Sequence, residues 1–133
     1  GGDLFVRGGN CPVEARTFAT DATVGNITYT AAQVYGGVML RDPAGGARAD
    51  TMPTAADIVA AIPNAAVGDT FEFLLVNTAD AAEIITVGAG AGNTLVPASV
   101  TPTQNEITRF IIRLTNVTGA SEATTMYAMT TGA

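Results

Sequence analysis

Histidine and tryptophan are absent from this chain, cysteine occurs once, and all six basic residues are arginine. Without His there can be no Ser-His-Asp triad, no Cys-His pair and no His-based metal site. Without Lys there is no Schiff base and no phosphate-loop lysine. Cys11 has no second cysteine to pair with, so there is no internal disulfide framework. With no imidazole to activate it, it does not read as a nucleophile. Serine occurs only at Ser99 and Ser121, both in loop-like stretches. Six arginines against twelve carboxylates leave a net charge of −6. That balance excludes the dense cationic face that nucleic acid requires. No apolar run approaches the ~20 residues that span a bilayer. The longest, "FLLV" and "FIIRL", have strand length. The opening "GGDLFVRGGN" lacks the basic flank and apolar block of an export signal. The expectation is a non-enzymatic protein with no catalytic residue, cofactor, metal, nucleic acid or membrane among its requirements.

What the chain does have is apolar surface. Of its 133 residues 47% are hydrophobic and only 14% charged. The length suits one domain, or one domain plus an arm. A domain this greasy and this short of charge is expected to hide surface against copies of itself or a partner. Buried apolar area contributes roughly 25 cal/mol per Å², and left exposed it invites aggregation.

Residues 1–25 carry no period. The segment is rich in glycine and small polar residues, with apolar anchors at Leu4, Phe5, Val6, Val13 and Phe18. It reads as an extended N-terminal arm. About 20 extended residues reach on the order of 65 Å. "LFV" is too apolar for a solvated tail, so Leu4, Phe5, Val6 and Arg7 are the candidate contact residues. A leader, or an edge strand added to the sheet, is the plainer alternative.

Residues 26–133 read as the folded domain, mainly β. Thr30 can cap a single helical turn through Ala31–Val34, ended by Gly36. "GVMLRD" is a short strand, and "DPAGGARAD" is a loop by composition. In "TMPTAADIVAAIPN", Thr54 is an N-cap with Asp57 three residues on, and Pro63 is the stop. A helix of two turns is not stable alone, so it must lie against a sheet. "VGDTFEFLLVN" is a strand apolar on both faces, with "EIITVGAG" its expected return strand. "NTLVP", "EITRFIIRLTN" and "EATTMYAMTTG" complete the β pattern. In the long strand Phe110, Ile112 and Leu114 face one way, Arg109 and Arg113 the other.

An internal repeat accompanies these strands. Asn77 to Glu83 and Asn116 to Glu122 share one spacing: a strand ending in Asn, five loop residues, then Glu. An Asn there can bond its own downstream backbone and start the turn. Two such hairpins sharing a core point to a β-sandwich.

The remaining motifs carry little chemistry. "GAGAG" from Gly88 to Gly92 leads into "NTLVP" rather than a helix, so no helix N-terminus follows to hold phosphate. Asp42 with Asp50, and Asp80 with Glu83, could pair as acid and base. Neither has the oxygen spacing of a calcium loop, and sugar hydrolysis would want an aromatic-lined cleft, whereas this chain has no Trp and few aromatics. They read as solvated loop acids. "NIT" at Asn26 and "NVT" at Asn116 match the glycosylation sequon, as chance allows among twenty threonines.

The stretches "TAAQVYGGVMLRDPAG", "DTMPTAADIVAAIPNAAVGDTFEF", "GAGNTL" and "ITRFIIRLTNVTGASEA" resemble capsid decoration (cement) and head-knob proteins of tailed bacteriophages. The likeness spans about 90 of the 133 residues. It lies in a pattern of residues, not in a catalytic signature. The resemblance implies a β-sandwich or jelly-roll-like domain with one short helix. It implies a homotrimer on the outer capsid surface of the virion, bound to the major capsid protein, with no catalytic residues to carry over. The arm is the part the resemblance covers least, so the contact role of Leu4, Phe5, Val6 and Arg7 rests on their own composition. The competing expectation is a trimeric fibre or knob module that binds a host-surface glycan.

Overall fold

A computed structural model describes residues 16–131, together with the backbone of Leu4–Arg7 and Cys11–Glu14. Ten strands and two short helices are described: β1 (Leu4–Arg7), β2 (Cys11–Glu14), β3 (Phe18–Asp21), α1 (Ala31–Val34), β4 (Val38–Arg41), β5 (Arg48–Thr51), α2 (Ala55–Ala61), β6 (Thr70–Asn77), β7 (Ile85–Gly88), β8 (Asn93–Val96), β9 (Ile107–Asn116) and β10 (Ala123–Thr131). The fold is mainly β, as the composition of the strands leads one to expect. Six strands form one mixed sheet in the order β3-β4-β6-β9-β10-β8. The β3, β4 and β6 strands run parallel, β9 lies antiparallel between β6 and β10, and β8 pairs parallel with β10. A second, two-stranded sheet joins β5 to β7, and a third joins β1 to β2.

Both helices follow their caps. The Thr30 side chain accepts from the Gln33 amide, and the Gln33 side chain accepts from the Thr30 amide, closing a capping box around α1. Thr54 accepts from the Asp57 amide, and α2 ends just before Pro63. Each helix supplies a link between parallel strands, which cannot be joined by a tight turn. The inner face of the large sheet packs against these helices and the β5–β7 pair. Phe73 and Phe110 stack there with ring centroids 5.7 Å apart, and Tyr29 sits 5.9 Å from Phe73. Val34, Met52, Ile58, Ile85 and Val87 close the core from the other layer. Burying one such side chain contributes roughly 1.5–3 kcal/mol.

Three expectations are corrected. First, β7 is not the return strand of β6. It pairs parallel with β5, Arg48 opposite Ile85. The β6 edge goes instead to β9, whose Phe110 and Ile112 meet Phe73 and Phe71 in register. The Asn77 side chain redirects the loop by donating to the carbonyls of Glu83 (2.9 Å) and Pro102 (3.1 Å). Second, "DPAGGARAD" is a loop only in its first part, since Arg48, Ala49 and Asp50 belong to β5. Third, the body of the protein begins before residue 26. Strand β3 is an edge strand of the large sheet, with Ala19 opposite Met39, and the carbonyls of Thr23 and Gly25 accept hydrogen bonds from the buried Arg41. The edge-strand alternative therefore holds for Phe18–Asp21. The earlier segment includes the antiparallel β1–β2 pair, with Phe5 opposite Val13.

Candidate interaction face

Strand alternation sorts the six-stranded sheet into two faces. On β9, Phe110, Ile112 and Leu114 are fully buried, whereas Arg109 and Arg113 are exposed and Ile111 is half-buried between them. The register carries that alternation across the neighbours. Ile107, Ile111 and Arg109 stand opposite Val76, Glu72 and Leu74 of β6. On the other side Ile111 stands opposite Tyr127, and Arg109 opposite Met129, of β10. The outer face is thus apolar across three strands. Met129 is 64% exposed, and Ile107 and Tyr127 are also exposed. Ile111, Tyr127 and Met129 line a shallow hollow of about 110 Å³. An exposed apolar patch of this kind is a candidate contact surface.

Charge stands among these apolar residues. Glu72 lies between two arginines: Arg16 Nη2 is 2.7 Å from Oε1, and Arg109 Nε hydrogen-bonds Oε2. Burial by itself would raise the Glu72 carboxyl, but the hydrogen bonds from Arg109 and Arg16 prevail and hold it below the usual range. Tyr35 packs edge-on against Phe71 at 5.2 Å. Together with Gly36, Thr70 and Ile111 these residues line a cleft of about 510 Å³.

The remaining polar clusters serve the scaffold. Asp50 is fully buried rather than solvated, a correction to its reading as a loop acid. Its Oδ2 accepts from Arg41 Nε at 2.7 Å and from the Tyr29 hydroxyl at 2.8 Å, and its Oδ1 accepts from the Ile27 amide at 3.1 Å. Asp42 is committed to the Ala44 amide of its own loop. The two do not form an acid–base pair, because Asp50 is locked against a cation. Glu83 is nearly buried too, while Asp80 is exposed. In "GAGAG" the Ala91 carbonyl accepts the Ala55 amide at 2.9 Å, so the loop seals the first turn of α2. Among the described residues no group of three or more His, Cys, Asp or Glu side chains is placed to hold a metal ion, and no helix is long and apolar enough to cross a membrane.

The expected contact residues Leu4, Phe5, Val6 and Arg7 form β1 by backbone, and their side chains lie outside the described residues, as does that of Cys11. The sequence reading missed the Arg16–Glu72–Arg109 cluster. The signal available was the alternation Arg109, Ile111, Arg113 on the non-core side of one strand, a pattern of mixed charge and grease that a purely solvated face does not need. No family model, curated protein or solved structure matches the chain.

Proposed function

We propose that the chain is a non-enzymatic virion structural protein: a homotrimeric decoration (cement) protein that binds the outer surface of a phage capsid and stabilises the shell. Its partners are the major capsid protein and its own copies. The layer made by α1, α2 and the β5–β7 pair over the large sheet is read here as the second half of a sandwich-like domain. The observation that carries the proposal is the outer sheet face, where Ile107, Ile111, Tyr127 and Met129 form a greasy strip. A protein that works by adhesion needs such a strip. In this reading the strip seals one copy against the next, and Leu4, Phe5, Val6 and Arg7 grip the shell. Stabilisation then follows by mass action, because the protein binds the assembled lattice and not the dissociated one. Three linked arms add avidity. The glycan-binding alternative is weaker, because the exposed aromatic side chains among the described residues, Phe18 and Tyr127, stand on β3 and β10 with three strands between them.

The test is removal of residues 1–15, which leaves β3 in place, followed by co-sedimentation with capsids stripped of the protein. The shortened chain should keep its fold and its oligomeric mass but lose capsid binding. Undiminished binding would sink the role of the arm.

A further inference from the structure

Strand β6 is eight residues long, but β4 pairs only with its second half, Leu74–Asn77. The hydrogen bonds fix which amides face which neighbour. The Leu74 amide donates to Gly37 and the Thr78 amide to Arg41, both on the β4 side, while the Asn77 amide donates to Glu106 on the β9 side. Even-numbered residues of β6 therefore present N–H and C=O towards β4, and odd-numbered ones towards β9. At Thr70 and Glu72 the β4 side has no strand among the described residues, because the chain has already turned back into α1. The turn is tight, since a Cβ on Gly37 would lie 2.1 Å from the Gln33 carbonyl oxygen. The cleft of about 510 Å³ occupies the vacated place.

An open strand edge is a template for another strand, and side chains around it select the sequence that enters. Here the rim bears two arginines and one glutamate, a local positive excess on a chain of net charge −6. Glu72 accepts from Nε of Arg109, whose side chain is 57% exposed. A carboxylate on the entering segment would meet a guanidinium already oriented by Glu72.

We infer that Thr70–Phe73 is a strand-addition site for an extended segment of the shell subunit, with a carboxylate of that segment against Arg109. This rests on the reading of the protein as a capsid-binding one. It adds a second, main-chain contact to the one assigned to the arm. The placement favours the shell over a sister copy. Arg16, at the rim, is the root of the N-terminal segment, whereas the strip assigned to copy contacts is centred on Tyr127 and Met129 of β10 and meets the cleft at Arg109 and Ile111.

Residue-resolved hydrogen exchange on the full chain, free and bound to stripped capsids, tests this. In the free protein the Thr70 and Glu72 amides should exchange freely, while Phe71 and Phe73 are protected by β9. On capsids Thr70 and Glu72 should slow by about tenfold or more. Arg109→Glu should weaken capsid binding roughly tenfold, with an unchanged circular dichroism spectrum and an unchanged oligomeric mass, while Asp57→Lys on α2 should leave binding as it is. Protection of Thr70 and Glu72 already in the free protein would overturn the inference, because this chain or a copy would then cover the edge. Capsid binding without added protection there would overturn it too, leaving the decoration role intact. Failure of the full chain to bind capsids at all would overturn both.

Discussion

Arg41 and Asp50 form an ion pair with no solvent exposure, Nε to Oδ2 2.7 Å, at the joint between the large sheet and the β5–β7 pair. All five guanidinium donors are used: two bonds reach Asp50 and the other three reach the carbonyls of Thr23, Asp42 and Gly25. One side chain thus fastens the 23–25 segment, β4 and β5 together. Asp50 offsets the cost of burying Arg41 and keeps it charged, against the desolvation that would lower its pKa. A carboxylate so held is a structural element of the joint.

The first prediction concerns this pair. Asp50→Ala leaves a buried guanidinium without its counter-charge, and should cost about 3–5 kcal/mol in urea unfolding. The double variant Arg41→Met with Asp50→Leu should lose much less than the two single losses added together. Equal, additive losses would contradict the coupling.

Tyr29 sets the alkaline limit. Burial first, and then the adjacent Asp50 charge, push its phenol far above its ordinary value of 10. In the unfolded chain the same phenol ionises near that ordinary value. Its contribution is therefore complete below about pH 10 and declines as pH rises beyond it. Urea midpoints taken from pH 8 to 11 should fall more steeply for the wild type than for Tyr29→Phe. Parallel declines would show that Tyr29 is not the group responsible.

The "GAGAG" turn is a packing device with a direct test. At Gly92, φ is +83°, and a Cβ would lie 2.7 Å from the Ala55 Cβ and 2.8 Å from the Glu122 carbonyl oxygen. Gly92→Ala should destabilise by about 1–3 kcal/mol or more. Gly119 has nothing within 4 Å of its would-be Cβ, so Gly119→Ala should stay within about 0.5 kcal/mol of wild type. Thermal unfolding of the two variants side by side decides it.

Local rules read correctly in this chain. Thr30 with Gln33, and Thr54 with Pro63, bound both helices because caps act over three or four residues. Asn77 and Asn116 each accept from the amide two residues on, as the repeat suggested. The β9 alternation gave the buried and exposed sides of the sheet, and Asn116 opens a true β9–β10 hairpin. Strand partners were not legible. Residues 70–77 and 85–88 look like a hairpin, yet β6 prefers β9, some thirty residues away in sequence, because that longer strand buries two phenylalanines against each other. Parallel pairings such as β5 with β7 and β8 with β10 leave no turn signature at all. Asp50 looked like a loop acid because its partner Arg41 sits at the end of an apolar strand, nine residues earlier. The candidate face was half legible: its arginines were placed on the outer side of β9, but the Glu72 that orients Arg109 lies on another strand.

The account depends most on the outer sheet face being covered by sister copies. Light scattering on the eluting protein measures that directly. The wild type should show three times the 13.4 kDa mass of the chain. Ile111→Glu with Met129→Glu should show the mass of one chain, with its circular dichroism unchanged. A wild-type protein that elutes as a single chain at micromolar concentration, and whose mass the double variant does not alter, would contradict the account.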